Sequence, residues 1–336
     1  MKALILNDRH SLQLVEKTKP SIESASEAIF QVAYTGICGT DRSVLVGKFP
    51  ADKGVVMGHE SVGVVTEAGA EASVTVGDRV LLNPTLYCGW CSRCRLGNQN
   101  FCINKRGTEV GLDMDGTYAE YMKVDSRYLH TIPDSMAFER AVLIEPLACA
   151  LNNVERAQVS CNDRVLIIGG GPIGSLCAMV ALIKGAEVTL AETSDVRREM
   201  VSDFLSGVSV RKASVVAELC TPSNMYSVAI DTVGSCLTEC VSKLDVGGRA
   251  VLMGYNSNVQ TALRNIDIVT NAWSIMGAGD FTPAIFENAL SLSSSLPLEK
   301  LVTHVFPLES YAEAFALLGV GQGNGNYNAM KVLLRS

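Results

Sequence analysis

Across the first ~145 residues the apolar positions fall in short clusters, without the three-to-four-residue spacing of an amphipathic helix. Ala28–Val32, Ser61–Val65 and Arg79–Leu82 read as short strands between turns, in a stretch rich in glycine and β-branched residues. The pattern changes at Asp163. Arg164-Val165-Leu166-Ile167-Ile168 is a continuous apolar run, as expected of a strand buried on both faces. A glycine turn, a long apolar helix over about 173–184 and a second strand, Glu187–Ala191, complete a βαβ unit. Further strands are predicted at Val228–Asp231, Arg249–Met253 and Trp273–Met276, so the middle of the chain reads as a doubly wound α/β domain. Helical spacing returns at Ala284–Leu292 and Tyr311–Leu318. Gly321–Asn326 reads as a glycine/asparagine loop, and Met330–Leu334 as a last strand. No internal repeat or low-complexity linker interrupts the pattern.

Length and composition sharpen this reading. A chain of 336 residues predicts two domains rather than one. With 48% hydrophobic and 19% charged residues it can bury a large core. The net charge of −7, with no basic tract, argues against nucleic acid or an anionic membrane as partner. The apolar start Met1–Leu6 is too short for the core of a secretory signal, and no stretch reaches the length of a membrane span. Eleven cysteines in such a chain point to a reducing, cytoplasmic setting. Cys149, Cys161, Cys177, Cys220, Cys236 and Cys240 are expected to be small core residues.

The most informative chemistry is Cys88, Cys91, Cys94 and Cys102, spaced C-x2-C-x2-C-x7-C. Four thiolates on short spacers can close a tetrahedron around Zn²⁺. Sulfur-only ligation with no open position reads as structural rather than catalytic zinc. Free thiols or disulfides are the bland alternative.

Gly169-Gly170-Gly171-Pro172-Ile173-Gly174 fits G-x-G-x-x-G between the predicted strand and helix. There the glycines let backbone amides approach a pyrophosphate at the helix N-terminus, and Pro172 suits the first helical turn. Glu192 ends the second strand, where an acid binds the adenosine ribose and repels a 2′-phosphate, favouring NAD over NADP. Arg197 and Arg198 work against that preference, since an arginine can accommodate the phosphate. A tight structural turn and a solvated glutamate would be the alternative.

A second mixed set is scattered: Cys38 in Gly36-Ile37-Cys38-Gly39-Thr40-Asp41, His59 and Glu60 in Gly58-His59-Glu60, and Glu145 in Ile144-Glu145-Pro146. A thiolate, an imidazole and one or two carboxylates could hold a metal with room for water or substrate, with Asp41 holding the His59 ring. Taken one at a time, Cys38 would be core, His59 a surface residue and Glu145 a helix-start carboxylate. Spacing alone does not join them.

These motifs together, G-I-C-G-T-D, G-H-E, the four-cysteine lobe, E-P-L-A and G-G-G-P-I-G in that order, resemble the zinc-dependent medium-chain alcohol and polyol dehydrogenases over nearly the whole chain. The resemblance implies a β-rich GroES-like catalytic domain at 1–146 and 282–336, and a Rossmann NAD-binding domain at 147–281, with the active site in the cleft between them. It implies two zinc ions per chain. Cys38 and His59 would be catalytic ligands, Glu60 a ligand or an acid close to the metal, and Glu145 a ligand directly or through water. Thr40 would pass on the alcohol proton. Several relatives carry a histidine three residues after that hydroxyl. Ser43 stands there in this chain, so the proton would leave through the cofactor ribose or water. The substrate implied is a secondary alcohol of a polyol, sugar acid or cyclitol, or the matching ketone, handled by a homodimer or homotetramer. The similarity extends to the threonine dehydrogenase branch. An amino-alcohol enzyme, a simple alcohol dehydrogenase and a catalytically silent relative are therefore the alternatives.

Overall fold

The computed structural model describes residues 1–207, 213–218, 225–321 and 329–336. Cys220 and most of the 321–326 loop lie outside the described residues. The chain divides into two compact units, Met1–Glu145 with Phe281–Ser336, and Pro146–Asp280.

The first unit is built on a seven-stranded sheet. Its path runs Val302–Pro307, Lys331–Arg335, Glu27–Gly36, Glu60–Ala68, Arg79–Leu82 and Leu129–Thr131, with Tyr121–Asp125 also pairing Glu27–Gly36. The three early strands read from short apolar clusters between turns are present, each longer than or equal to its predicted core. Strand Lys331–Arg335 lies antiparallel to Glu27–Gly36, with Leu333 opposite Gly36 and Leu334 opposite Thr35. On its other side Glu27–Gly36 pairs Glu60–Ala68, with Gly36 opposite Glu60. Two apolar clusters cover the sheet. One gathers Leu4, Met57, Tyr118, Phe315 and Leu334, and the other Phe30, Val65, Leu82, Met122 and Tyr128. A helix that the sequence pattern does not announce, Gly39–Leu45, follows strand Glu27–Gly36 at once. Seven residues are too few to show a helical period.

The second unit is a six-stranded, all-parallel sheet. Its spatial order is Ala213–Val216, Glu187–Ala191, Arg164–Ile168, Tyr226–Asp231, Leu244–Leu252, Ser274–Gly277. In chain order this is 3-2-1-4-5-6, the dinucleotide-binding arrangement, whose direction reverses between the first and fourth strands. Helix Pro172–Ile183 is apolar on nearly every side and buries nine of its residues, so packing rather than amphipathic patterning defines it. Strand Ala213–Val216 carries only two valines beside Ala213 and Ser214, which is too little apolar run to recognise without its neighbour.

Asp163 ties the lower ends of this sheet together. Its Oδ2 accepts from the Ser160 amide (2.8 Å) and hydroxyl (2.9 Å), and its Oδ1 from Ser227 Oγ (2.7 Å) and the Arg249 guanidinium. Burial alone would raise its pKa, but the bonds from Ser227 and Ser160 and the Arg249 charge hold it below the usual carboxylate range. A depressed folded-state pKa gives stability that is complete above the unfolded value, about 4, and is lost as pH falls through the folded value. Asp163→Asn should therefore cost about 1–3 kcal/mol at pH 7 by urea denaturation. That difference from wild type should shrink below about pH 4. A difference that stays constant down to pH 3 would show that the carboxylate's charge contributes nothing.

Candidate active site and metal centres

The cysteine lobe is organised by a short helix, Ser92–Arg95. Cys91 precedes it and accepts the Cys94 amide on its Sγ at 3.5 Å. The four sulfurs are free thiols, Cys91–Cys94 at 3.5 Å, Cys88–Cys102 at 3.6 Å, and Cys88–Cys94 and Cys91–Cys102 at 3.9 Å. A tetrahedron with Zn–S bonds of 2.3 Å has edges of about 3.8 Å, so these side chains are already spaced for one zinc ion. Disulfides, at about 2.04 Å, are excluded. Further donors aim at the sulfurs. The Cys88 and Asn104 amides reach Cys102 Sγ, and the Cys91 amide and Asn104 Nδ2 reach Cys88 Sγ, all at 3.4 Å. Burial pushes the Cys88 thiol up, but the Trp90 and Cys91 amides outweigh it and bring it down to about 6. Burial carries Cys94 the other way, to about 12. Without a cation the four sulfurs cannot all ionise; a dication would take all four as thiolates. The lobe is fastened to the sheet by Tyr128, whose hydroxyl donates to Tyr87 O (2.8 Å) and accepts from the Tyr87 amide (3.0 Å).

In the same unit the second donor set forms where two paired strands meet their loops. Because Gly36 faces Glu60, the residues just after one strand and just before the other converge. Donor atoms of Cys38, His59 and Glu60 lie within 4.8 Å of one another. Thr40 Oγ1 is 3.7 Å from Cys38 Sγ. Glu145 is buried at the head of helix Ile144–Arg156. It stands outside that 4.8 Å cluster, although its charge acts on both His59 and Lys331. Asp41 Oδ2 accepts from the Cys38 amide (2.8 Å) and the Tyr118 hydroxyl (2.6 Å). The bond expected between Asp41 and His59 is not formed. Asp41 Oδ1 and His59 Nδ1 stand 3.9 Å apart, both buried and both without a hydrogen-bond partner. Burial works against a charged His59 ring, yet the Cys38 sulfur and Asp41 raise its pKa well above the ordinary histidine value. A thiol, an imidazole and a carboxyl thus lie within 4.8 Å of one another, a donor set whose chemistry suits zinc.

One partner escaped sequence reasoning. Lys331 Nζ donates to Glu60 Oε1 (2.8 Å) and Oε2 (2.6 Å) and to Ile37 O (3.2 Å), with both ionic side chains buried. Burial opposes its charge, but Glu60, Cys38 and Glu145 outweigh that and raise its pKa. The available signal was a single lysine inside the otherwise apolar Met330-Lys331-Val332-Leu333-Leu334.

In the second unit Gly171 precedes helix Pro172–Ile183 and Pro172 opens it, with Ile173 in the first turn. A Cβ on Gly174 would fall 1.8 Å from Gly169 O, so only glycine lets helix and strand approach this closely. A Cβ on Gly171 would meet only Arg197 Nη1, at 3.9 Å, which leaves space for a pyrophosphate at a helix N-terminus beside a guanidinium. Glu192 is buried, with Oε2 accepting from the Gly170 amide and Oε1 from the Ser194 amide, both at 2.8 Å. Arg198 is held by the Glu192 and Thr193 carbonyls (2.8 and 2.9 Å) and by Asp195. Of the two arginines, Arg197 is the one beside the glycine turn.

Comparison with known proteins gives the same answer. Residues 24–134 match the alcohol dehydrogenase GroES-like domain, and residues 172–295 the zinc-binding dehydrogenase family. The chain is 30% identical to 2-dehydro-3-deoxy-L-galactonate 5-dehydrogenase of Pseudoalteromonas atlantica, over 92% of each chain. It is 28% identical to sorbitol dehydrogenase of Bombyx mori, covering 99% of this chain and 97% of that one. A solved alcohol dehydrogenase from Escherichia coli, complexed with NADH, is 29% identical with a TM-score of 0.86, covering 100% and 99% of the two chains. The chain belongs to the zinc-dependent medium-chain alcohol/polyol dehydrogenases. It is accordingly an oxidoreductase of small-molecule alcohols that uses zinc and a nicotinamide cofactor. Among the described residues no helix is long and apolar enough to cross a membrane.

Cys94→Ser should lower both zinc content and thermal midpoint, because a structural site contributes its binding free energy to folding. Full zinc content with unchanged melting would remove the lobe from the list of metal centres.

Proposed function

We propose that the chain transfers a hydride between NAD and a secondary alcohol of a polyol, sugar acid or cyclitol. It would carry two zinc ions, a structural one on Cys88, Cys91, Cys94 and Cys102 and a catalytic one on Cys38, His59 and acid from Glu60 and Glu145. The observation that carries this reading is the Cys38–His59–Glu60 donor cluster with the Thr40 hydroxyl beside it. The activities named for the sorbitol and dehydro-deoxy-galactonate relatives support the substrate class. Bound on Cys38, His59 and acid from Glu60 and Glu145, a zinc ion would supply Lewis-acid polarisation of the substrate oxygen, and a dinucleotide held at the glycine turn would supply the hydride acceptor. The residues of the chain do the rest. Lys331 donates to both Glu60 oxygens and so fixes that carboxyl beside the other donors. Thr40 Oγ1 takes the proton of the alcohol and hands it on to ribose or water. Gly171, Pro172, Ile173 and Gly174 shape the pyrophosphate turn, with Gly169 and Arg197 beside it. Glu192 binds the ribose hydroxyls and disfavours a 2′-phosphate.

The decisive experiment is NAD reduction over a panel of polyols, sugar acids, cyclitols, L-threonine and simple alcohols, with zinc measured on the same preparation. Highest kcat/KM on a polyol, sugar acid or cyclitol is expected; L-threonine or ethanol as best substrate would overturn the class. Thr40→Val keeps the side-chain shape and should leave zinc and NAD bound while kcat falls about 10²–10⁴-fold, the usual size of a general acid–base contribution. Near-normal turnover would remove Thr40 from the proton path. Wild type should prefer NAD, and Glu192→Ala should narrow the preference by relieving repulsion of the 2′-phosphate. A wild type more efficient with NADP would transfer the assignment to Arg197.

A further inference from the structure

Tyr118 touches both segments that bring the catalytic donors together. It is fully buried. Its backbone belongs to a stretch laced onto the turn before His59: the Gly116 amide donates to Val56 O (2.7 Å), Thr117 to Gly58 O (2.9 Å) and Tyr118 to Met57 O (2.8 Å). The ring lies against Gly58, where φ is +90° and a Cβ would fall 2.5 Å from Tyr118 Cδ1. Phe315 packs on it edge to face, with centroids 6.1 Å apart. The hydroxyl reaches the other segment and donates to Asp41 Oδ2 at 2.6 Å. That oxygen also takes the Cys38 amide at 2.8 Å. With Oδ2 engaged twice, Asp41 cannot turn, and Oδ1 is left pointing at His59 Nδ1, 3.9 Å away.

We propose that Tyr118 is a positioning residue of the catalytic centre: it locks Asp41 so that Oδ1 faces His59 Nδ1. Oδ1 is then the acceptor that His59 Nδ1 faces when Nε2 is the donor toward metal. Which ring nitrogen of a histidine binds metal is set by the hydrogen bond the other makes, and partners behind the ligands commonly govern metal affinity 10–100-fold. Here the partner behind the ligand is itself held, by a phenol that also underlies the ligand's own turn. The proposal rests on the assignment of Cys38, His59 and Glu60 as a metal centre.

The test is cobalt binding by chelator competition, followed through the visible absorption of the mixed sulfur–nitrogen–oxygen site. Tyr118→Phe keeps the ring against Gly58 and Phe315 and removes only the hydroxyl. It should weaken cobalt about 10-fold or more and change the absorption bands, while the lobe keeps its zinc. Asp41→Asn should reproduce the loss. Thr117→Val removes the neighbouring buried bond to Thr35 Oγ1 (2.8 Å), which does not touch Asp41, and should lower stability without changing cobalt affinity. Wild-type cobalt affinity in Asp41→Asn overturns the proposal whether or not Tyr118→Phe folds. So does an unaltered Tyr118→Phe, or an equal loss in Thr117→Val. Failure of wild type to take up metal at this site overturns the metal-centre assignment as well.

Discussion

The register that sets Gly36 opposite Glu60 is the constraint on which the mixed donor set depends. It makes the turn carrying Cys38 and the turn carrying His59 neighbours, although twenty residues of chain separate them. It also requires glycine, since a Cβ on Gly36 would fall 2.1 Å from Glu60 Oε2. The opposite edge of that strand pairs Leu333 with Gly36, and Lys331, two residues earlier, reaches across to Glu60. A shift of one residue would send every side chain of the pair to the opposite face and scatter thiol, imidazole, carboxylate and ammonium. A buried ion pair is weak evidence for stability, because desolvation offsets much of its attraction. Its value here is positional: it makes any other register leave a charge buried and alone.

The two donor sets differ in how they reach their geometry. The lobe closes within fifteen residues, and its amides and Asn104 present donors to sulfur before any long-range contact is needed. The mixed set draws on two separate segments and is assembled by the sheet. Local closure suits a site that only holds structure, while assembly by the sheet admits unlike ligands and leaves a hydroxyl alongside.

How much was legible follows from the same distinction. The cysteine lobe and the glycine turn are local, and their spacing alone states their chemistry. The buried parallel strands were legible as unbroken apolar runs, and the outer sheet as short clusters between turns. Cys38, His59 and Glu145 became a group only by resemblance, since no periodicity connects positions that the sheet brings together. Lys331 and Tyr118 were missed because their importance lies in partners far away in sequence, Glu60 and Asp41. The short strand Ala213–Val216 and the helix Gly39–Leu45 lack enough residues to declare a period, and tertiary packing defines both.

The discontinuity of the first unit gives its assembly a direction in time. A ribosome delivers Cys38, His59 and Glu60 first, then the whole of Pro146–Asp280, and Lys331 only afterwards. Domains tend to fold as they emerge, so the parallel-sheet unit can complete itself while the seven-stranded sheet still lacks strand Lys331–Arg335. Until that strand docks, Glu60 has no ammonium partner and the thiol, imidazole and carboxylate cluster is half-built. The carboxylate of the mixed set thus waits longest for its partner, whereas the four cysteines of the lobe leave the exit tunnel within fifteen consecutive residues.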